Sequence, residues 1–302
     1  MKQYPVQFTG IPNGETLAWR ACGASDTTVV LIHGNMSSSV HWQTTIEALE
    51  PDCSVVAPDL RGFGDSTYAN TFDSLLELAQ DVRALLESQK TGQFAVVGWS
   101  TGGGVALELA AMLPEAVTKV VLLDSVGLTG YPMFKKDAQG APILTEPMRT
   151  KAEIAVDPIQ VVPALTAYAT GNREMMRDLW NAVIYNLHQP PADDYELYLD
   201  AIMKQRNLVD VDYALMTFNM THEPTLWAPG SGRMDQVACP VTLLHGEEDL
   251  VVPLAWAQQT ATLFGDKARL ITFANAGHSV LTDDFPAFIT TLRAQLPGIP
   301  QA

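Results

Sequence analysis

The stretch VVGWSTGGG, Val96 to Gly104, sets one serine between an apolar run, FAVV, and a segment of helical character, GVALELAAML. Three uses of such a stretch compete: a loop that cradles a phosphate, a turn that presents a nucleophile, and an ordinary helix start softened by glycine. A phosphate loop needs G-x-x-x-x-G-K-[ST], and no lysine follows these glycines. A dinucleotide fingerprint, G-x-G-x-x-G, begins at neither Gly98 nor Gly102. What remains is G-x-S-x-G at Gly98 to Gly102, a sharp strand-to-helix turn that exposes the hydroxyl of Ser100. A side chain two residues before or after that serine would collide with neighbouring backbone, which explains both glycines. On the pentapeptide alone, a plain helix cap stands beside the nucleophile reading.

Outward from this turn the chain alternates short β-branched runs with longer amphipathic segments: TTVVLIHGN, CSVVAPDL, LLELAQDVRALLES, FAVVGWS, GVALELAAML, VTKVVLLDSVG. Apolar strands separated by helices indicate a parallel sheet covered on both faces, so the fold class is α/β. The same grammar returns near Val241 with VTLLHGEED, LAWAQQTATLF, ARLITFANAGHS and FPAFITTLRAQL. Between these parts the alternation stops, and Met176, Leu179, Trp180, Val183, Ile184 and Leu187 follow a helical spacing. Gly/Pro-rich borders, GLTGYP and WAPGSGRMDQVACP, mark where the chain leaves and re-enters the core. The expected division is a core of residues 1–129 and 236–302 with a helical cap, or lid, over 130–235.

Composition narrows the function classes. The 302 residues are 47% apolar and 17% charged, as in soluble globular proteins, and no apolar run approaches the roughly 20 residues of a membrane helix. The N-terminus MKQYPVQFTGIPNG lacks the apolar core of a secretory signal, so a cytoplasmic protein is expected. Cys22, Cys53 and Cys239 form no CxxC pair and fit buried thiols in a reducing compartment. A formal net charge of −16 repels nucleic acid and anionic membranes, leaving a small molecule as the expected partner.

A serine hydroxyl needs a base within hydrogen-bond reach, and the base needs an acid to hold its tautomer. Of six histidines, His41, His188 and His222 lie away from strand ends, and His33 and His245 precede glycines in settings that suit structural hydrogen bonds. His278, in NAGHSV, follows the last strand at the sheet edge where Ser100 emerges, and is the expected base. For the acid, HGEEDLVVP puts Asp249 just beyond a strand and ahead of Pro253. Asp124 in VVLLDSVG is the rival, while Glu247 and Glu248 are expected in solvent.

With these residues in place, the chain resembles the α/β-hydrolase superfamily, which uses the chain order Ser, Asp, His found here at Ser100, Asp249 and His278. The resemblance extends to His33-Gly34, to DLRGFGDS at Asp59 to Ser66, and to G-x-x-D at Gly246 to Asp249. It implies an oxyanion hole from the backbone N–H groups of Asn35 and Thr101, and it equates the helical insertion with a cap. HGN at His33 to Asn35 is also similar to the start of haloalkane dehalogenases, but those enzymes attack with an aspartate where this elbow carries Ser100. The expected chemistry is hydrolysis of small, mainly apolar carboxylic esters through an acyl-enzyme, with no metal or organic cofactor. Trp99, beside the nucleophile, is expected to line the pocket. A lactonase, a carbon–carbon bond hydrolase using the same three residues, and a non-catalytic ligand-binding protein on this fold are the alternatives.

Overall fold

The apolar runs pair into one eight-stranded sheet in a computed structural model that describes residues 1–296 and 298. β1 (Gln7–Gly10) and β2 (Thr16–Cys22) open the chain, followed by β3 (Thr28–Ile32), α1 (Gln43–Leu49), β4 (Ser54–Pro58), α2 (Leu75–Ser88), β5 (Phe94–Trp99), α3 (Thr101–Met112) and β6 (Val117–Leu123). A hairpin, β7 (Phe134–Lys136) and β8 (Pro142–Pro147), comes next. The helices α4 (Lys151–Ile154), α5 (Val162–Thr170), α6 (Arg173–Val183), α7 (Ala192–Ile202) and α8 (Leu208–Thr217) follow it. The chain then rejoins the sheet with β9 (Val241–Gly246), α9 (Leu254–Phe264), β10 (Ala268–Phe273), α10 (Val280–Asp283) and α11 (Phe285–Gln295).

The strand order is β1-β2-β4-β3-β5-β6-β9-β10, with β2 antiparallel to both neighbours and every pair from β4 to β10 parallel. Every residue of β5 and β9 is buried, which is why these strands read as continuous apolar runs. Their carboxyl ends all point to one edge of the sheet, where the loops after β3, β5, β6, β9 and β10 gather.

Two elements escape the sequence pattern. β1 and β2 precede the alternation that starts at Thr27; β1 is a four-residue edge strand exposed along most of its length, so it carries no apolar period. The hairpin β7–β8 interrupts a segment expected to be helical, and its residues are exposed or half-buried, which again leaves no core-facing alternation to detect.

α3 lies close against the sheet because of its glycines. A Cβ on Gly98 would lie 2.2 Å from the carbonyl oxygen of Gly102, and one on Gly102 would lie 2.3 Å from that of Ile32. Both collisions are with backbone. At Gly104 a Cβ would meet the end of the Leu75 side chain at 2.5 Å and Val126 at 3.1 Å, atoms that rotate or shift by a few tenths of an ångström. Gly102→Val is therefore expected to cost at least about 3 kcal/mol, on the order of 10 °C in Tm. Gly104→Ala, which gains about 1 kcal/mol of helix propensity, is expected to stay within about 1.5 kcal/mol of the parent. Thermal unfolding of the two variants side by side checks this, and equal losses would contradict the distinction.

Candidate active site

Where β5 ends, Ser100 takes φ 54°, a left-handed conformation that a side-chain-bearing residue adopts at a cost of about 1–3 kcal/mol. The turn is tied down by the Ser100 N–H, which donates to the Leu123 carbonyl at 2.9 Å, and by the Gly103 N–H, which donates to the Ser100 carbonyl at 3.0 Å. Gly34 completes the approach: a Cβ there would sit 3.0 Å from the Ser100 Cβ, so the loop after β3 can abut the serine.

Asp249 follows β9 in a tight turn where its Oδ1 accepts from the N–H groups of Val251 (2.7 Å) and Val252 (2.8 Å). That leaves Oδ2 for His278, whose Nδ1 lies 2.8 Å away. A carboxylate accepts, so Nδ1 carries the proton and Nε2 presents its lone pair to the Ser100 hydroxyl, 2.9 Å distant. The structure thus joins Ser100, His278 and Asp249 in one hydrogen-bonded chain, with the Asp249 and His278 side chains 1% and 3% exposed. Burial opposes ionisation of Asp249, but the charge and hydrogen bond of His278, with the Val252 N–H and His245, outweigh it and hold the carboxyl below its ordinary value.

Asp124, the rival acid, lies at the end of β6, between the serine strand and the strand leading to Asp249. It is fully buried and makes no hydrogen bond to His278; its oxygens accept from the N–H groups of Gly246 (2.8 Å) and Val280 (3.4 Å). Burial, reinforced by the negative charge of Asp249, raises its carboxyl well above the usual range. Asp124 therefore ties the end of β9 to the start of α10, the two places from which Asp249 and His278 project. Glu247 and Glu248 are exposed.

Asp124, His245 and Asp249 bring ligand atoms within 4.8 Å of one another, which suggests a metal site by proximity alone. Their donors are otherwise engaged. His245 Nε2 must carry a proton to bond the Val252 carbonyl at 2.9 Å, and both carboxylates already accept backbone N–H groups.

The other histidines are structural in geometry. His33 Nε2 accepts from the Leu60 N–H at 2.9 Å while Nδ1 donates to the Gly34 carbonyl at 2.8 Å, linking the loop of Asn35 to DLRGFGDS. In that second loop Asp59 accepts from the Ser39 N–H (2.8 Å) and the Asp65 N–H (3.0 Å). Arg61 grips the buried Asp81 with two bonds of 2.7 and 2.8 Å. His41 is buried and stacks on Tyr198 and Trp180, and burial drives its pKa down to about 3, helped by the charge of His33. His188 and His222 are exposed.

Ser100 and His278 open into a cavity of about 450 Å³ bordered also by Asn35, Met36 and Thr101. Among the described residues no protein acceptor takes the backbone N–H of Asn35 or of Thr101 at the start of α3, so both remain free beside the serine. The opposite wall comes from the inserted segment. Leu179, Trp180, Val183 and Ile184, four of the six residues in the stripe read as helical, line it, although α6 stops at Val183 and Leu187 lies beyond. Trp99 does not line the cavity as expected. Its indole is buried behind the histidine, where Nε1–H donates to the His278 carbonyl at 2.8 Å and fixes that loop.

Asp212 was not singled out by the sequence. It projects from α8 onto the cavity wall with Leu208 and Leu215, and Asn35 Nδ2–H donates to its Oδ1 at 3.1 Å. Burial, with the Asp157 charge adding and the Asn35 bond opposing, pushes its carboxyl up to about 7. The detectable signal is an acid at the middle position of an i, i+4, i+7 set otherwise apolar, Leu208-Asp212-Leu215.

Comparison with known proteins follows the geometry. A family model described as alpha/beta hydrolase fold matches residues 27–285. A pimeloyl-[acyl-carrier protein] methyl ester esterase of Nitrosomonas europaea is 28% identical over 258 residues, covering 83% of this chain and 88% of the relative. Among solved structures, a probable hydrolytic enzyme from Pseudomonas aeruginosa superposes with a TM-score of 0.75 at 22% identity, covering 98% of this chain and 95% of that one. An esterase from Exiguobacterium antarcticum gives 0.70 at 18% identity, covering 95% and 98%. At these identities the two structures establish the fold. Among the described residues no helix is long and apolar enough to cross a membrane.

The buried neutral histidines imply an acid-side instability. His41 stays unprotonated in the fold down to about pH 3, whereas in the unfolded chain it protonates near pH 6.5. The unfolded state therefore binds the extra proton between these limits, and stability falls as pH drops through that window. Replacing His41 with Gln should flatten the stability-versus-pH slope between pH 4 and 6 by about one proton, roughly 1.4 kcal/mol per pH unit. Chemical denaturation at several pH values measures the slope independently of any packing loss, and an unchanged slope would count against a neutral buried His41.

Proposed function

The chain belongs to the α/β-hydrolase family, and on that premise we propose that it is a carboxylesterase working through a Ser100 acyl-enzyme. The observation that carries the reading is the hydrogen-bonded chain from Ser100 through His278 to Asp249, opening into a mainly apolar cavity. His278 takes the hydroxyl proton as Ser100 attacks the acyl carbonyl, and Asp249 holds the imidazole in its tautomer and balances its charge. The free N–H groups of Asn35 and Thr101 bind the oxyanion, an interaction whose loss typically costs about 10²–10³ in rate. His278 then protonates the departing alcohol, and water repeats the attack on the acyl group with the same histidine as base.

Residues 130–235 serve as the cap, since α6 and α8 supply the wall facing the serine. The mainly apolar lining and the volume favour small acyl groups of mainly apolar character. Ester-cleaving names among relatives and fold neighbours support the same class. No cofactor is called for by these steps. We place the enzyme in the cytoplasm, on the strength of three unpaired cysteines.

Short-chain p-nitrophenyl esters should be turned over fastest, with rates declining as the acyl chain outgrows the cavity; negligible turnover of the whole panel would refute the proposal. Ser100→Ala should lose labelling by a fluorophosphonate probe. Asp249→Asn should lower kcat by about 10⁴, while Asp124→Asn, which disturbs only backbone anchors, should leave kcat within about tenfold. The reverse ranking in steady-state kinetics would make Asp124 the acid.

A further inference from the structure

Asp212 is a charged group that the ester mechanism leaves unused, yet it faces the substrate cavity. Its Oδ1 is taken by Asn35, whose Oδ1 in turn accepts from Gln205 Nε2 at 2.8 Å, so one end of the carboxylate is anchored. Oδ2 has no protein partner among the described hydrogen bonds, and the side chain is only half-buried, its open side being the cavity. Several polar groups nearby have partners of their own, although the Tyr131 O–H remains free to donate into the cavity. Asp157 pairs with Lys136 at 3.3 Å, the Tyr131 hydroxyl accepts from Gln160, and the Tyr168 hydroxyl donates to Gln205 at 3.0 Å. Among the described residues, no lysine or arginine lines the cavity.

A wall with one open carboxylate oxygen and no lysine or arginine suits a ligand that brings its own hydrogen-bond donor. Asn35 bridges Asp212 to the proposed oxyanion side of the serine, so that donor belongs on the part of the ester that faces Asn35. We propose that Asp212 is a specificity-determining residue that selects esters bearing such a donor, an ammonium above a hydroxyl, and turns away esters bearing a carboxylate. The inference rests on the esterase reading for its ester, but on Asp212 for its selectivity. A charge-assisted bond to the half-buried carboxylate supplies the gain for ammonium, and repulsion between like charges supplies the exclusion.

The test separates binding from turnover. In the Ser100→Ala protein at pH 8, calorimetry measures affinity for methyl esters of matched short chains that end in methyl, hydroxyl, ammonium or carboxylate. The ammonium ester should bind at least about tenfold tighter than the methyl-ended one, and the carboxylate ester at least about tenfold weaker. Adding Asp212→Asn, or Asp212→Ser as a second uncharged replacement, should bring all four within about threefold of one another. Lowering the pH to 6 should erode the ammonium preference in the parent only, as the carboxyl takes up its proton. A ranking that is flat in the parent, or that survives both substitutions, overturns the inference. If the ranking holds while the parent protein turns over no ester, the esterase reading fails and the role of Asp212 stands.

Discussion

Three stretches of backbone meet where β5 turns into α3, and there is no room among them for a single Cβ. Gly98 faces the carbonyl of Gly102, and Gly102 faces the carbonyl of Ile32 at the end of β3. This contact does more than permit a tight turn. It presses the start of α3 against the strand that carries the Asn35 loop, so the serine and the free N–H groups on both sides of it are brought to one point. Every later feature of the site, from the reach of His278 to the bond between Asn35 and Asp212, is measured from that point.

Around it the charges are arranged by burial rather than by number. Two buried carboxyls lie close together, and their surroundings divide the roles. Asp249 accepts backbone N–H groups and faces His278, so it holds its negative charge, whereas the deeper Asp124 is pushed toward the neutral acid. A carboxyl biased in this direction anchors two loops with less negative charge beneath the imidazole than a second ionised acid would bring. Trp99 has a similar supporting role through its bond to the His278 carbonyl.

The sequence was most legible where residues are buried on both faces or where backbone geometry demands one residue type. The strands around Val29, Val96, Val121 and Leu243 announced themselves by continuous apolar character, and the elbow by its paired glycines. His278 and Asp249 could be placed because each follows a recognisable strand. The hairpin β7–β8 and the edge strand β1 stayed hidden because mostly exposed strands impose no alternation. Trp99 was assigned to the pocket since sequence adjacency to a serine says nothing about side-chain direction at a turn with φ 54°. Asp212 escaped because its meaning depends on how α8 lies over the sheet, and that docking is a tertiary fact. An acid in an apolar stripe looks, in one dimension, like an ordinary solvent-facing position.

The order of the hydrogen-bonded residues along the chain has a consequence for the nascent protein. Ser100 and His278 are 178 residues apart, and Asp249 reaches His278 across another 29. The elbow, built from β3, β5 and α3, leaves the ribosome before its base, which is carried beyond the last strand. Contacts of such long sequence separation form late, after loop closure has been achieved. A partly synthesised chain thus holds Ser100 before the imidazole that faces it has been made, and the hydrogen-bonded chain forms only with the completed sheet.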